Sequence, residues 1–275
     1  MSNLIKNNRY LILRRVIQIV ILFLFFAANK WGWNILVGSL STSKMFDTIP
    51  LSDPYAVIQM FFAGAVISSD LILGFLIVVA FYGLIAGRAF CSWVCPVNMI
   101  TDLAGWLRRK LKIDEYGKRQ LLLPHQFKYW FALVILIVSA ITGTAAFEYI
   151  NPVGILTRGV IFSMGFGWTW IVAIFLFDLF VMKNGWCSYV CPLGATYSII
   201  GSKSVVKVLH NKDKCTACGN CFKVCPEVHV LENVINKKSG FITGIECRNC
   251  GRCIEVCYDE ALKFNLKNFV KGVEK

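Results

Sequence analysis

The sequence predicts a mainly α-helical fold, in which a four-helix transmembrane bundle is followed by a small α+β module. Of the 275 residues, 56% are hydrophobic and only 16% are charged, a composition that is unusual for a soluble chain of this length. Long uncharged runs occupy the first two thirds, and eight of the twelve cysteines lie near the C-terminus. We therefore expect a transmembrane domain over residues 1–202 and a separate module over residues 203–275.

The apolar runs predict the four spans. Residues 71–87, 129–147 and 159–177 are uncharged runs of membrane-spanning length. The first run, residues 16–28, is shorter, which fits either a signal-peptide core or a short span that continues through residues 31–38. We favour an uncleaved anchor, because no small-x-small cleavage site follows and the tryptophans just beyond the run suit an interfacial aromatic belt.

The distribution of lysine and arginine predicts that both termini are cytoplasmic, because short loops rich in these residues stay on that side. The N-terminal tail and the segment between the second and third spans hold Lys6, Arg9, Arg14, Arg15, Arg88, Arg108, Arg109, Lys110, Lys112, Lys118, Arg119 and Lys128. The opposite loops carry Lys30, Lys44 and Arg158. The formal charge of +13 is mostly this topological signal, and the absence of a basic stripe with interleaved aromatics argues against a nucleic-acid partner.

The C-terminal cysteines form two complete CxxCxxCxxxC runs, which is the spacing of two-cluster bacterial ferredoxins. In that pattern three cysteines of each run hold one iron-sulfur cubane and the fourth crosses to the other cubane. One [4Fe-4S] cluster is thereby assigned to Cys215, Cys218, Cys221 and Cys257, and the other to Cys247, Cys250, Cys253 and Cys225. Structural zinc and disulfides also use CxxC pairs, but two complete runs exceed the four ligands of a zinc site. The sequence therefore predicts a cytoplasmic module of the two-[4Fe-4S] ferredoxin type.

A second cysteine motif, CxxxCP, occurs twice and indicates an internal repeat. Cys91 and Cys95 recur as Cys187 and Cys191, 96 residues later. An Asp-Pro pair at residues 53–54 is echoed by an Asn-Pro pair 98 residues later. These echoes predict a duplicated two-helix unit, with both motifs at the cytoplasmic ends of spans.

The four thiols of these motifs are candidates for a membrane-level redox site. If each motif is helical, its two thiols share a face, and pairing the halves would gather all four. Such a group could hold an additional metal centre, form a redox-active dithiol pair or relay electrons. The plain alternative is a set of small packed thiols at helix ends. We favour redox participation.

The chain resembles the NapH family, the ferredoxin-type membrane subunits of the quinol dehydrogenase that serves periplasmic nitrate reductase. The resemblance rests on LSDPYAVIQ, GRAFCSWVCPVNMITDLAGWLRRKL, AFEYINPVGIL, IFLFDLF, GWCSYVCPLGA and the two cysteine runs. It implies a multi-pass protein of the bacterial inner membrane that oxidises menaquinol or ubiquinol from the quinone pool. Its implied electron acceptor is a NapG-like periplasmic iron-sulfur protein, and its implied cofactors are two [4Fe-4S] clusters.

Quinol oxidation also needs proton acceptors, and acidic residues near membrane-embedded sites are candidates. Asp178 falls at the inner end of the fourth span, and Asp53, Asp70 and Glu148 fall near outer ends. His125, which precedes the third span, is a candidate for a quinone head-group. Each has an alternative role as an interfacial or capping residue.

Two questions stay open at this stage. NosR-type regulators and certain oxidase-assembly proteins share the same core, so the competing hypothesis is a redox-sensing or assembly protein without quinol turnover. Whether the chain is part of an enzyme is therefore undecided. In addition, the predicted clusters are cytoplasmic whereas the implied acceptor is periplasmic. The clusters could take electrons from a cytoplasmic donor, regulate or stabilise a complex, or form one end of a transmembrane wire.

Overall fold

The computed structural model describes residues 8–113, 124–162, 165–236 and 238–267. Lys6, Lys118 and Arg119, which contribute to the predicted orientation, lie outside these ranges. The described chain is mainly helical and divides into two compact units. The first unit comprises the described parts of Met1–Ile17, Ala80–Val94 and Tyr197–Lys275, and the second comprises those of Gln18–Val79 and Cys95–Thr196. The division into domains at residues 202 and 203 stays a prediction.

Two helices in the described part of the chain are long and apolar enough to cross a membrane. They are α1, Arg9–Trp31, and the 26-residue helical stretch Ser69–Val94, which begins with α3, Ser69–Phe81. Apolar side chains on both are largely exposed, as lipid-facing side chains would be. These helices contain the predicted runs 16–28 and 71–87.

The other predicted spans form shorter helices. Residues 127–142 form α5, Phe127–Thr142, which ends at Gly143 in a left-handed conformation, and the short α6, Ala146–Ile150, follows. The run 159–177 is not one helix, so that prediction is wrong. It is divided between α7, Pro152–Phe162, and α8, Gly167–Leu176, with Gly165 between them at φ +45°. The four-helix transmembrane bundle stays a prediction.

The internal repeat is longer than the predicted two-helix unit. Each half contains five helical elements in the same order. They are a short helix, an apolar helix, a π-helical extension, a π-helical segment with the first cysteine of the motif, and a further α-helix. The first half contains α2 (Pro54–Phe62), α3, Tyr82–Ala86, Phe90–Val94 and α4 (Val97–Lys110); the second contains α7, α8, Phe177–Val181, Trp186–Val190 and α9 (Pro192–Ile200).

The helices α2 and α7 begin in the same way. The backbone N–H of Tyr55 donates to Asp53 Oδ1, and that of Val153 donates to Asn151 Oδ1, each over 3.1 Å. In both cases proline occupies the first helical position, where its missing N–H costs no hydrogen bond. The Asx-Pro pairs of the sequence are therefore helix starts.

A small sheet follows α1 and corrects a second prediction. Residues 31–38 do not continue the first span, because α1 ends at Trp31 and β1 covers Leu36–Gly38. Antiparallel β2, Thr42–Met45, and β3, Ile49–Ser52, complete a meander. At the β1–β2 connection Gly38 has φ +110° and lies so close to Thr42 O that a side chain would clash.

The C-terminal module is α+β, as the sequence predicts. Its central strand β4, Val206–His210, pairs antiparallel with β5, Gly240–Phe241, and with β6, Leu262–Leu266. The short helices α10 (Asn220–Val224), α11 (Glu232–Ile235) and α12 (Arg252–Glu255) lie between these strands in the chain. The apolar core combines strand residues with two of the cysteines and includes Val208, Cys225, Leu231, Ile242, Cys253 and Leu262.

Candidate iron-sulfur sites

The two C-terminal cysteine loops follow the same backbone path. In the first loop Ala217 and Gly219 have φ of 55° and 74°, and in the second Asn249 and Gly251 have φ of 47° and 75°. A helix, α10 or α12, then begins directly after the glycine. Left-handed residues on both sides of a cysteine turn the backbone into a concave loop of the kind that anionic clusters occupy. A glycine follows the second cysteine of each run, and this glycine could have predicted the turn, which the cysteine spacing alone does not indicate.

The fourth cysteine of the first run lies with the cysteines of the second. Cys225, Cys247, Cys250 and Cys253 all line one cavity. Apolar residues of the module core, among them Val208 and Leu231, line the same cavity. This is the grouping that the crossover rule requires, although the assignment of all eight ligands stays a prediction. We call these four cysteines and their cavity the second site.

The chemistry of the second site suits an iron-sulfur cluster. Burial raises the pKa values of Cys225 and Cys253, and it raises the pKa of Cys247 to about 11. A hydrogen bond from the Asn249 backbone and the charges of Lys207 and Arg88 oppose the shift at Cys247. Thiols in this setting are neutral without metal, and iron would displace their protons and bind the thiolates. Four converging soft ligands around a largely apolar cavity therefore fit a [4Fe-4S] cluster.

The remaining cysteines are the predicted ligands of the first site, and they are closer to solvent. Cys218 is exposed, and Cys215, Cys221 and Cys257 are half-buried. Burial raises the pKa of Cys221, and the charges of Cys215 and Cys218 add to the shift. The backbone N–H and hydroxyl of Thr216 donate to Asp259 Oδ2 over 3.4 and 2.6 Å, which ties the first loop to the segment after Cys257. None of the twelve cysteines, all of which lie among the described residues, forms a disulfide.

The CxxxCP cysteines lie in or directly after the π-helical segments Phe90–Val94 and Trp186–Val190. Cys91 and Cys187 lie within them, and Cys95 and Cys191 follow directly before proline. All except the half-buried Cys191 are buried. Cys187 Sγ is 3.9 Å from Thr101 Oγ1, and the N–H of Gly194 donates to Cys191 Sγ over 3.4 Å. Cys91 belongs to the first unit and the other three belong to the second.

The candidate proton acceptors and the histidines all have partners. Asp70 forms an exposed ion pair with Lys44 at 2.9 Å, so a capping or surface role explains it. Glu148 accepts from Ser41 and Asn151, and Asp178 accepts from the backbone N–H of Trp186. His125 stacks on Tyr189 with ring centroids 5.0 Å apart. The ring Nδ1 of His210 lies 2.8 Å from Lys238 O, and His229 Nε2 lies 2.6 Å from Glu246 Oε2.

Unlike Asp70 and Glu148, and like Asp178, Asp53 has a buried side chain. Burial, reinforced by the charge of Glu148, raises its pKa from 3.8 to about 8. The unfolded chain loses this proton near pH 4, whereas the folded protein keeps it up to about pH 8. The folded state therefore binds more protons in this window, and its stability falls as pH rises through it.

We expect Asp53→Asn to remove this part of the pH dependence. The amide of asparagine can still cap the helix, as Asn151 does at the equivalent position. The free energy of unfolding of the variant should exceed that of the wild type by an amount that grows from pH 4 to pH 8. The rise of the Asp53 pKa from 3.8 to about 8 corresponds, at about 1.4 kcal/mol for each pH unit, to an upper limit of roughly 6 kcal/mol. Thermal unfolding in detergent at pH 5 and pH 8 measures it. Asn151→Asp is the reverse control and should add pH dependence, whereas parallel profiles for Asp53→Asn and the wild type would contradict the prediction.

The two cluster-loop glycines provide a matched pair for a stability prediction. Both have nearly the same positive φ, but a Cβ added at Gly251 would lie 2.7 Å from Tyr10 Cγ, whereas one at Gly219 meets nothing closer than Phe222 Cδ2 at 3.9 Å. We expect Gly219→Ala to lower the free energy of unfolding by about 1 kcal/mol, because alanine is strained in the left-handed conformation. Gly251→Ala should cost about 1 to 3 kcal/mol more, because the Tyr10 ring must move. Denaturant unfolding compares them, and equal losses would show that the Tyr10 contact is unimportant.

Comparison with known proteins agrees with this picture. A family model described as a 4Fe-4S binding domain matches residues 70–114 and 160–209, and each match contains one CxxxCP motif. A second model, described as a 4Fe-4S dicluster domain, matches residues 207–258. The ferredoxin-type protein NapH of Escherichia coli (strain K12) is 42% identical over 227 residues, which are 82% of this chain and 78% of that protein. The chain belongs to the NapH family of ferredoxin-type proteins.

Other members of the wider family are nearly as similar. The methylamine utilization ferredoxin-type protein MauN of Paracoccus denitrificans (strain Pd 1222) is 41% identical over 82% of this chain and 79% of that protein. NapH of Haemophilus influenzae (strain ATCC 51907 / DSM 11121 / KW20 / Rd) is 40% identical over 84% of this chain and 79% of its own length. No solved structure matches the chain. The chain is thus a ferredoxin-type 4Fe-4S electron-transfer protein of NapH and MauN type, and its apolar helices make it membrane-associated.

Proposed function

We propose that this NapH-family chain is the membrane subunit of a quinol dehydrogenase, which oxidises menaquinol or ubiquinol and delivers electrons to a periplasmic iron-sulfur partner. The observation that carries the proposal is the second site, where one cysteine of the first run joins three of the second around a single cavity. Each bound [4Fe-4S] cluster would accept and release one electron at a time. A pair of such centres suits the passage of the two electrons of a quinol one by one.

The eight C-terminal cysteines are the proposed ligands. Cys225, Cys247, Cys250 and Cys253 would hold one cluster in the second site, and Cys215, Cys218, Cys221 and Cys257 would hold the other in the first site. In the second site Cys225 and Cys253 are buried and the other two cysteines are half-buried, whereas the exposed Cys218 leaves the first site more open to solvent. Solvent exposure and the surrounding charges would give the two clusters different potentials.

The proposed setting is a multi-pass protein of the bacterial inner membrane with cytoplasmic termini. Support comes from α1 and Ser69–Val94, which are long enough to span, and from the lysine and arginine distribution. The apolar helices α5, α7 and α8 supply the remaining membrane-embedded segments of this proposal. Exposed apolar side chains such as Trp130, Ile141 and Phe180 favour contact with lipid.

A redox role for Cys91, Cys95, Cys187 and Cys191 belongs to the same proposal. Both segments that carry these cysteines match a family model described as a 4Fe-4S binding domain. Buried thiols at helix ends are sheltered from solvent oxidation and can bind metal or exchange electrons.

Two physiological contexts fit the similarities equally well. NapH relatives favour delivery of electrons to a NapG-like partner for nitrate reduction. MauN relatives, named for methylamine utilization, match at nearly the same identity, so a role in methylamine metabolism is the second candidate. Growth of a deletion strain on nitrate or on methylamine separates the two, because only the served pathway should fail.

Anaerobic purification of the full chain from membranes tests the function. We expect about eight iron and eight sulfide per chain, two cluster signals in electron paramagnetic resonance, and cluster reduction by added quinol that turns over with an artificial acceptor. Colourless, iron-free protein would refute the proposal. Cluster reduction without turnover would favour the redox-sensing alternative. A Cys91→Ser, Cys187→Ser double variant with unchanged iron and unchanged turnover would leave those cysteines a packing role.

A further inference from the structure

The two cluster-binding loops are held by different partners. The first loop is tied to Asp259, within the same C-terminal module. The second loop, Cys247–Cys250, is held by the segment Ala86–Trp93, which surrounds the first CxxxCP cysteine. Both segments belong to the first structural unit, so their contacts lie within one compact body.

Hydrogen bonds join Ala86–Trp93 to the two central residues of the second loop. Ser92 Oγ donates to Arg248 O over 2.7 Å, and Trp93 Nε1 donates to Asn249 O over 2.9 Å. In the reverse direction Asn249 Nδ2 donates to Ala86 O over 3.1 Å. Ser92 and Trp93 directly follow Cys91. The residues next to this thiol therefore donate hydrogen bonds to the backbone between Cys247 and Cys250, two predicted ligands of the second site.

Arg88 is the central residue of this contact. It is 1% exposed, and its guanidinium donates to Glu246 O and to Glu227 Oε1, each over 3.2 Å. Arg248 donates to the same Glu227 oxygen over 2.8 Å. Both Glu227 and Arg248 line the cavity of the second site. Arg88 is thus connected to that cavity both through the loop backbone and through an ion pair.

The charges around the second site leave a surplus of positive charge. Three buried cations, Arg88, Arg248 and Lys207, outnumber the two buried carboxylates, Glu227 and Glu246. The partly exposed His229 pairs with Glu246. Arg252, at the cavity wall, adds a further cation. Burying unbalanced positive charge is costly unless an anion is near. A [4Fe-4S] cluster with its four thiolates is such an anion, because it carries net negative charge.

We propose that Arg88 is a positioning residue for the second site, and that the Ala86–Trp93 segment makes this site, rather than the first, the neighbour of the Cys91 motif. The inference rests on the proposed function, since it requires that the sites hold clusters. Arg88 fixes the Cys247–Cys250 loop and places a cation beside it. Donors and positive charge near a cluster stabilise its reduced form, so Arg88 raises the potential of the second cluster.

Redox titration of the anaerobically purified full chain, followed by electron paramagnetic resonance, tests this role. The signal that disappears in Cys225→Ser identifies the second cluster. In Arg88→Gln we expect the potential of that cluster to move to a more negative value while the first cluster is unchanged, and Arg88→Lys should shift it less. Lys223→Gln is the matched control, because it removes an exposed cation on α10 beside the first loop, where water screens the charge.

If Arg88→Gln does not fold, Ser92→Ala and Trp93→Phe each remove one hydrogen bond to the second loop and should shift the same cluster in the same direction. The inference is wrong if no variant moves either potential, if both potentials move together, or if only the first cluster responds. Absence of both signals in the wild type would instead overturn the proposed function, so the two failures are distinguishable.

Discussion

Cys225→Ser is expected to lose the second cluster and keep the first, which lowers the iron content to about half. Although Cys225 belongs to the first run in sequence, its side chain lines the cavity that Cys247, Cys250 and Cys253 also line. Serine nearly preserves the volume but is a poor ligand for iron. Because Cys225 is also part of the apolar core, the module should lose stability together with the cluster. Iron analysis and electron paramagnetic resonance of the anaerobic protein measure both effects.

Two control variants make this outcome specific. Cys218→Ser should remove the first cluster only, because Cys218 lies in the exposed first loop. Cys257→Ser should reproduce the Cys218→Ser spectrum if the crossover holds. Loss of the same signal in Cys225→Ser and Cys218→Ser would show that each run serves one cluster, and it would overturn the crossover. Retention of both signals in Cys225→Ser would overturn the ligand assignment itself.

Gly201→Ala should be among the most destabilising single-methyl changes in the first unit. A Cβ at this position would lie 2.6 Å from Gly87 Cα, 2.7 Å from Gly87 C and 3.0 Å from Arg88 N. The obstacle is backbone, which cannot turn aside as a long side chain does, so we expect a loss of about 2 to 3 kcal/mol. A backbone shift that relieves this clash would displace Gly87 and Arg88. It would also disturb the hydrogen bonds between Ala86–Trp93 and the second loop. Thermal unfolding in detergent measures the loss.

A second glycine near this contact serves as the matched control. A Cβ at Gly83 would meet Ile200 O at an ordinary 3.4 Å, so Gly83→Ala should cost less than 1 kcal/mol. The pair therefore separates backbone contact from the general effect of adding a methyl group. If both variants unfold at the same temperature, the close approach of Gly201 and Gly87 does not limit stability.

The sequence predicted well whatever depends on short stretches of chain. The CxxCxxCxxxC runs identified the cysteine loops, because cluster loops are built from ligands only a few residues apart. Long uncharged runs identified α1 and Ser69–Val94, since length and apolarity are local properties. The Asx-Pro pairs, which the sequence indicates only as part of a repeat, mark the starts of α2 and α7.

Shorter or interrupted elements were not predicted correctly. The run 159–177 reads as one span, yet its glycines allow the chain to break between α7 and α8. The strands of the β1–β3 meander are three or four residues long, too short for an alternating pattern to appear. The π-helical segments around the CxxxCP motifs have no signature in composition, so the sequence predicts only two helices per half.

By itself the sequence determined the family, the helical and cysteine-rich regions and the residues available as cluster ligands, because these depend on composition and on spacing along the chain. Only the tertiary structure decided what Arg88 does. In the sequence this residue counts as one more loop cation that sets membrane orientation, whereas the fold buries it against Glu227, 139 positions away. A contact between segments so distant leaves no local pattern, since a buried ion pair needs only that both partners leave water together in the folded chain.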